Sequence, residues 1–371
     1  MPPDFSRDVC LVLGLPFDVV TVAQAEAVLR SAISRRTRCF LTTPNLNFAV
    51  SCLHDSAFRA SVLQSDLSLA DGWPVVVIGR LTGAALPERV AGSTLFERLA
   101  ASASRPAVRV YFFGGPDGAA EAAGARLNAA PESGAVCAGF DAPGFGSVAD
   151  MSTPAHLERL NRAQPDFVVV ALGAKKGQAW IQNNLGAIDA PVISHLGAVV
   201  NFVAGSISRA PDWVQAARLE WLWRIKEEPQ LWRRYATDGW AMLSLLGTRV
   251  IPLAFQTRLA PPRSADLAAA RITQVDTPRG VTLRLMGAWT RTNAAPLRVA
   301  LAQVAVARQD ITLDLAGVSH IGSTPIALLA LLHGWQLKIG ASWRVENAPA
   351  AIRRALYLTC AEYLLAPEGT R

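Results

Sequence analysis

The stretch PDFVVVALGAKKGQAWI, residues 165–181, decides the fold. Its residues 167–172 form a short apolar, β-branched run typical of a buried strand, and the residues after Gly173 favour a helix. The same alternation of strand and helix signals recurs through the first 200 residues. Further strands are predicted at residues 10–15, 38–42, 67–70, 108–113, 135–138 and 192–195. The sequence therefore predicts an α/β fold with a largely parallel sheet.

Polar residues follow two of these predicted strands, at the point where each strand ends. Thr43 and Asn45 come after the second strand, and Asp71 comes after the third. Parallel α/β sheets bind ligands at the carboxyl ends of their strands, so these three side chains are candidate site residues. Each has a structural alternative, because Asn45 is also a good helix N-cap and an Asp-Gly pair is commonly a turn.

Two other strand ends have features of a phosphate site. Gly114 and Gly115 let backbone N–H groups approach a phosphate at a helix start, although the same glycines suit a tight turn. Lys175 and Lys176 also lie at a helix start, where their charge opposes the helix dipole unless an anion is bound nearby. Neither segment matches a dinucleotide-binding or P-loop motif, so these residues are candidates for an anionic ligand of another kind.

Composition excludes several classes of protein. The five cysteines form no CxxC pair, and no HExxH or Asp-x-Asp motif occurs, so no metal site is predicted and no cofactor is expected. A net charge of +7 suits an anionic partner such as phospholipid, a pyrophosphate or nucleic acid. The chain has no uncharged apolar run of about 18 residues, and its first residues predict a strand, not a signal peptide.

Three further regions follow the predicted sheet. Residues 212–258 are helical, basic and rich in tryptophan, and residues 259–266, which contain two prolines, predict a linker. Residues 267–371 begin a new α/β pattern, with strands at 281–285 and 311–315 and helices at 294–306 and 324–334. With residues 1–211 as the first domain, this division predicts that the last domain can be removed without unfolding the main sheet.

Taken together, the motifs of residues 11–235 resemble those of the WecG/TagA/CpsF family, glycosyltransferase family 26. The family's motifs occur in order: TPN at 43–45, ADGWPVV at 70–76, LPERVAGSTL at 86–95, FFGG at 112–115, PDFVVVALGAKKGQAWI at 165–181, HLGAVVNFVAGSISRAP at 195–211 and LEWLWRIKEEPQLWRRY at 219–235. The resemblance implies a Rossmann-like transferase domain followed by a helical C-terminal appendage.

The resemblance also implies an activity. Proteins of this family are inverting, metal-independent transferases that move a sugar from a UDP-sugar to a polyprenyl-pyrophosphate-linked acceptor in wall, capsule or exopolysaccharide synthesis. Asp71 matches the family's proposed general base, Thr43 and Asn45 match residues beside it, and Arg89 matches an arginine near the active site. A carboxylate in that place can accept the proton of the attacking sugar hydroxyl.

Without a metal ion, the leaving diphosphate needs cationic side chains and backbone N–H donors. The resemblance gives as candidates Arg209, Arg224, Arg233 and Arg234, with Gly114 and Gly115 close to the nucleotide. Two positions depart from the family pattern: the segment KKGQ, ending at Gln178, replaces the usual PKQE, and Asn201 replaces a common aspartate. We expect these changes to bear on the identity of the donor sugar or the acceptor, with Asp71 retained.

Tryptophans and arginines interleave in residues 212–258, and that composition favours a lipid interface. The resemblance places this segment beside the active site and at the inner, cytoplasmic face of the membrane, so peripheral membrane association is expected. A packed amphipathic helix pair would give the same pattern. Nucleic acid is not expected as a partner, because no nucleic-acid-binding motif accompanies the basic residues.

Residues 283–332 resemble a STAS domain, the anti-sigma-factor antagonist fold, a small α/β domain. The resemblance depends on LRLMGAWT at 283–290 and ITLDLAGVSHIGSTPIALLALL at 311–332. Ser323 occupies the phospho-acceptor position, but the aspartate that precedes it in the family is missing. The missing aspartate favours a binding or structural module over a phosphorylation switch, and a protein is the candidate partner of such a module. It leaves open an alternative function for the chain, a catalytically degenerate regulator that binds a nucleotide-sugar.

Overall fold

The computed structural model describes residues 2–101, 106–130, 133–144, 146–208, 210–211, 213–214, 217–278 and 280–365. The chain begins with an antiparallel hairpin of β1 (Val9–Val12) and β2 (Leu15–Asp18), so the single strand predicted at residues 10–15 is wrong. Leu13 and Gly14 both have positive φ, 48° and 79°, as in the tight turns that join hairpin strands. Gly14 is required there, because a Cβ would lie 2.4 Å from the carbonyl oxygen of Cys360.

Six strands form the main sheet. They are β3 (Cys39–Thr42), β4 (Leu67–Ser68), β5 (Val108–Gly114), β6 (Ala135–Asp141), β7 (Phe167–Ala171) and β8 (Val192–His195). All are parallel, in the spatial order β4-β3-β8-β7-β5-β6, which confirms the predicted α/β fold. Because β4, β3 and β8 are neighbours in the sheet, the residues that follow these strands meet at one edge.

Helices cover both faces of this sheet. Those of the first 211 residues are α1 (Val22–Arg35), α2 (Leu46–His54), α3 (Ser56–Leu63), α4 (Trp73–Leu81), α5 (Gly92–Ala101), α6 (Ala119–Asn128), α7 (Pro154–Arg162), α8 (Ala174–Asn184) and α9 (Gly197–Ala204). One core lies between the sheet and α1, α5, α6 and α9, and the helices α2, α3, α4, α7 and α8 enclose apolar clusters on the other face. Successive strand residues point to opposite faces, so Phe112 enters the first core and Phe113 the second.

In the described residues of the appendage, 212–258, all the regular secondary structure is helical. Its helices are α10 (Glu220–Glu227) and a continuous helical run made of α11 (Trp232–Leu245), a π-helical turn at Leu246–Val250 and α12 (Ile251–Leu259). Within the described ranges, no helix combines the length and the apolar composition that crossing a membrane requires.

A separate mixed sheet forms the C-terminal unit, which we define as residues 264–365. Its elements are α13 (Ser264–Ala268), β9 (Arg271–Thr277), β10 (Gly280–Trp289), α14 (Ala295–Ala307), β11 (Ile311–Ile321), α15 (Ser323–Ile339), β12 (Trp343–Glu346) and α16 (Ala350–Leu358). The strand order is β12-β11-β10-β9, with β9 antiparallel to β10 and the other pairs parallel. The second α/β pattern predicted from the sequence is therefore present, and the short helix α13 begins inside the predicted linker.

The N-terminal hairpin joins the two units. Val9 and Leu11 of β1, together with Leu63 of α3, belong to the same apolar core as the helices of the C-terminal unit. Ser323, at the start of α15, accepts a hydrogen bond from the Leu11 N–H at 2.7 Å and donates to the Leu11 carbonyl at 3.1 Å. Gly334 of α15 lies so close to Leu63 that a Cβ would be 2.6 Å from the Leu63 Cβ. The two units are thus packed together over a shared core.

Candidate active site

Asp71 lies just after β4, at the carboxyl edge of the main sheet. Its backbone N–H donates to the Pro44 carbonyl, which fixes it beside the segment that follows β3. Its Oδ1 is 3.4 Å from both Nε and Nη2 of Arg89, and its side chain remains 26% exposed. The two residues predicted from the sequence as base and neighbouring arginine are therefore in contact, and the carboxylate is still open to a ligand.

A second carboxylate binds the same arginine. Oε2 of Glu220, the first residue of α10, lies 2.5 Å from Nη1 of Arg89. Arg89 thus holds Asp71 of the main sheet and Glu220 of the appendage on different edges of one guanidinium. The sequence prediction missed Glu220, although it lies in the motif at residues 219–235, because it took only the arginines of that motif as site residues.

The charge around Asp71 suits a proton acceptor. Burial raises the pKa of Asp71 above its ordinary value, the Arg89 guanidinium opposes that rise, and Glu220 adds to it. A backbone N–H of Gly92 also stabilises the carboxylate. A carboxylate with a raised pKa takes up a proton more readily than a fully solvated one, which is the property that general-base catalysis needs.

Thr43 and Asn45 follow β3 beside Asp71. The Asn45 side chain accepts the Phe48 N–H at 3.1 Å and so caps α2, in agreement with the structural alternative for this residue. Thr43 is buried, and its Cγ2 lies 3.4 Å from where a Cβ on Gly92 would be. Both predicted residues therefore lie at the same sheet edge as Asp71.

The glycines and lysines predicted as an anion site occupy two junctions further along the sheet. Gly114 and Gly115 have φ of 86° and 107°, which only glycine adopts easily, and they end β5 ahead of α6. The Lys175 Nζ is 3.0 Å from Asp55 Oδ2, and the Lys176 Nζ donates to the Gly146 carbonyl at 3.0 Å. Each lysine therefore already has a protein partner near the start of α8.

Several buried polar atoms near the ends of β7 and β8 have no hydrogen-bond partner among the described residues. They include both amide atoms of Gln178, Oδ1 of Asn201, Oγ of Ser194 and Nε2 of His195. Leaving such an atom unpaired costs about 1–3 kcal/mol, so each of these atoms would be stabilised by a polar ligand that reached it. Gln178 and Asn201 were predicted from the sequence as site residues, whereas His195 was not.

His195 ends β8 in a space that two glycines leave open. A Cβ on Gly177 would lie 2.4 Å from the His195 Cδ2, and one on Gly197 would lie 3.3 Å from its Nε2. Burial lowers the pKa of His195 to about 4, so the ring is neutral at physiological pH. The sequence signal that could have found it is the pair of glycines, one at each helix start that faces the ring.

The appendage contacts the active-site edge at several points besides Glu220. Arg218 lies over the ring of Trp73 at 4.1 Å, and the Asn47 amide donates to Asp238 at 3.1 Å. Arg224 pairs with Glu228 and lies 5.5 Å from the ring centroid of Phe202, in α9. These contacts bring α10 and α11 against the helices that follow β3, β4 and β8.

The remaining predicted arginines lie further along the appendage. Arg233 and Arg234 lie over the rings of their sequence neighbours Trp232 and Tyr235, at 5.7 and 5.3 Å. Arg209 lies outside the described residues. The sequence prediction of a diphosphate site made by the four arginines therefore stays a prediction.

The fold and this site define a glycosyltransferase: a parallel α/β sheet carries a carboxylate and an arginine at its carboxyl edge, and a basic helical appendage closes over them. The chain belongs to the WecG/TagA/CpsF family of glycosyl transferases, whose family model matches residues 10–253. The match includes the main sheet and nearly all of the appendage. The resemblance of residues 283–332 to a STAS domain lies beyond it and stays a prediction.

Relatives of the chain have the same named activity. An N-acetylglucosaminyldiphosphoundecaprenol N-acetyl-beta-D-mannosaminyltransferase of Bacillus subtilis (strain 168) is 27% identical over 202 residues, 54% of this chain and 77% of that protein. The enzyme of that name from Bacillus spizizenii is 28% identical over 53% of this chain and 74% of its own length. A third, from Staphylococcus aureus (strain MW2), is 22% identical over 60% of this chain and 85% of its own length.

Proposed function

We propose that this protein transfers a sugar from a UDP-sugar to a polyprenyl-pyrophosphate-linked acceptor, with inversion at the anomeric carbon and without a metal ion. The observation that carries the proposal is the contact of Asp71 with Arg89 at the carboxyl edge of the sheet. The names of the relatives support an N-acetylhexosamine as the sugar and a diphosphoundecaprenol-linked acceptor. The product would serve the synthesis of a wall polymer, a capsule or an exopolysaccharide.

Asp71 would act as the general base. Its carboxylate accepts the proton of the acceptor hydroxyl while that oxygen attacks the anomeric carbon of the donor. The bond from the anomeric carbon to the UDP oxygen breaks on the opposite face, and its electron pair leaves with UDP. Direct displacement of this kind inverts the configuration, and no covalent sugar–enzyme intermediate is needed.

Positive side chains and backbone N–H groups would stabilise the leaving diphosphate. Gly114 and Gly115 lie at the end of β5, ahead of α6, and would bring backbone N–H groups toward the diphosphate, while Arg209, Arg224, Arg233 and Arg234 would supply charge from the C-terminal side. Across the described ranges, no group of three or more His, Cys, Asp or Glu side chains could hold a metal ion. The arginine side chains and backbone N–H groups would neutralise the leaving diphosphate in place of a metal cation.

The unpaired polar atoms near β7 and β8 support recognition of a hydroxyl-rich donor. Gln178 can donate and accept through its amide, Asn201 can accept, and the neutral ring of His195 has one nitrogen to pair. A sugar or uracil ring that paired with these atoms would recover part of the free energy lost by burying them. We therefore assign Gln178 and Asn201 to donor recognition.

The appendage would dock on the inner face of the cytoplasmic membrane. Several large apolar side chains of this region are more than half exposed: Trp213, Trp232, Trp240, Phe255 and, just after the appendage, Leu259. Aromatic residues of this kind insert at the level of the lipid headgroups, and each arginine near an anionic surface adds about 1 kcal/mol of attraction. The lipid-linked acceptor would then reach Asp71 from the side on which α10 lies.

Transfer assays with defined substrates test the proposal. UDP release is measured with UDP-N-acetylmannosamine and other UDP-sugars, with N-acetylglucosaminyl-diphosphoundecaprenol present or omitted. We expect release that depends on the acceptor and a product of inverted configuration by NMR. A protein that binds UDP tightly but releases none from any donor would instead fit the regulator that the sequence leaves open.

A further inference from the structure

Arg89 binds its two carboxylates unequally. Nη1 lies 2.5 Å from Glu220, whereas the two nitrogens that face Asp71 are both 3.4 Å from a single oxygen. An unshared arginine and carboxylate pair at about 2.7–2.9 Å, often through two parallel hydrogen bonds. The guanidinium is thus held at Glu220 and only loosely paired with Asp71.

Glu220 reaches Arg89 only because the appendage is docked. It is the first residue of α10, and the contacts of Arg218 with Trp73 and of Asp238 with Asn47 flank it along the chain. Its side chain is 24% exposed, so the ion pair with Arg89 is partly shielded from water. If α10 moved away, Arg89 would lose this partner, and Asp71 would be the carboxylate left to it among the described contacts.

We propose that Glu220 is a positioning residue: by binding Nη1 of Arg89 it keeps the guanidinium from closing into a tight pair with Asp71, so that Asp71 is free to act as the base only while the appendage is docked. This inference depends on the function proposed above for Asp71. In this proposal the appendage controls the base as well as contacting the membrane. When α10 moves away, Arg89 loses Glu220 and pairs closely with Asp71.

The electrostatics agree with this arrangement. Among the described residues, the charged groups that face Asp71 are Arg89, after α4, and Glu220, on α10. The backbone N–H of Gly92 also donates a hydrogen bond to the Asp71 carboxylate. Glu220 raises the pKa of Asp71 and Arg89 lowers it. Removing the charge of Glu220 would therefore lower the pKa of Asp71 in two ways, through the lost negative charge and through a closer Arg89.

The test compares Glu220→Gln with Glu227→Gln, a control on the same helix whose carboxylate accepts only the Ser208 N–H at 3.3 Å among the described contacts. The pKa of Asp71 is measured in the full-length protein by NMR titration of ¹³C-labelled aspartate, with Asp71→Asn to assign the signal. We expect a lower pKa in Glu220→Gln and no change in Glu227→Gln. Glu220→Asp, which keeps the charge, should restore most of the wild-type value.

Kinetics give the second measurement. In Glu220→Gln we expect kcat to fall on the order of tenfold, with the acidic limb of kcat/KM moved to lower pH and the KM for the UDP-sugar nearly unchanged. If Glu220 had only a structural role, Glu220→Gln would raise the KM for the lipid-linked acceptor and leave the acidic limb of kcat/KM at its wild-type pH. An Asp71 pKa that is equal in wild type and in both Glu220 variants would overturn the proposal. Because the titration needs no turnover, it decides this even if the wild-type protein transfers no sugar, which would count against the proposed function instead.

Discussion

The guanidinium of Arg249 stacks on the ring of Tyr357, with its carbon 3.3 Å from the ring centroid. The same side chain donates to the Tyr357 carbonyl and pairs with Glu362 at 2.8 Å. Arg249 belongs to the π-helical turn of the appendage, and both partners belong to the C-terminal unit. The appendage therefore contacts both the active-site edge of the main sheet and the C-terminal unit.

Removing residues 264–371 is expected to destabilise the main sheet, contrary to the separable domains that the linker predicts. Val9, Leu11 and Leu63 pack in the core of the C-terminal unit, and full burial of such a side chain contributes about 1.5–3 kcal/mol. Urea unfolding followed by circular dichroism should show a lower midpoint for the truncated chain. Equal midpoints for the truncated and full-length chains would mean that the shared core contributes little.

Asp71→Asn is expected to reduce kcat by about 10²–10⁴-fold, because an amide cannot accept the proton of the acceptor hydroxyl. The affinity for UDP should stay nearly unchanged, since the base acts on the acceptor. Steady-state kinetics and calorimetric titration with UDP check both expectations, with Asp276→Asn at an exposed position of β9 in the C-terminal unit as the control. Near wild-type turnover in Asp71→Asn would remove Asp71 from the mechanism.

Turnover in the presence of EDTA is expected to stay close to turnover without it. The physical reason is that arginine side chains and backbone N–H groups can carry the charge of the leaving diphosphate. The measurement is UDP release from protein dialysed against the chelator. Activity that disappears on chelation and returns with Mg²⁺ or Mn²⁺ would show that a cation takes this role.

Replacing Trp240 and Phe255 together by glutamine is expected to weaken binding to anionic liposomes by roughly tenfold or more. Both side chains are exposed, 75% and 61%, on the long helical run of the appendage. Flotation of the double variant measures the loss. The matched control is Val299→Gln with Val306→Gln, two exposed apolar residues on α14 of the C-terminal unit. If the control variant loses binding instead, the membrane surface is on the C-terminal unit.

Stability is expected to fall as the pH drops from 7 toward 4. Burial lowers the pKa of His195 and of His333 to about 4, below the ordinary value of about 6.5. The unfolded chain therefore binds more protons between these two pH values. The stability that the two neutral, buried histidines contribute is fully present above pH about 6.5 and is lost as the pH falls toward 4. His195→Gln should flatten the pH dependence of the urea midpoint relative to the wild-type protein. If the urea midpoint depended on pH equally in wild type and in His195→Gln, burial of the His195 ring would not contribute to the pH dependence.

Much of the main sheet could be predicted because its strands carry a local signal. Residues 167–171 are buried on both faces and read as an unbroken apolar run, and glycines mark the ends of β5 and β7. Asp71, Thr43 and Asn45 could be predicted to lie together because parallel strands place their carboxyl ends on one edge of the sheet, which is a rule of topology. The hairpin was missed, because residues 10–15 are apolar throughout and the turn at Leu13-Gly14 depends on the packing of Gly14 against Cys360.

By itself, the sequence determined the α/β class, the order of its elements and the candidate base, since helix and strand periods and strand-end residues are local properties. Only the tertiary structure decided that Glu220 binds Arg89, that His195 is buried between two glycines, and that Ser323 hydrogen-bonds β1. Each of these joins segments far apart in the chain. Their strength depends on distance, burial and the charges around them, and none of those quantities is set until the helices have packed on the sheet.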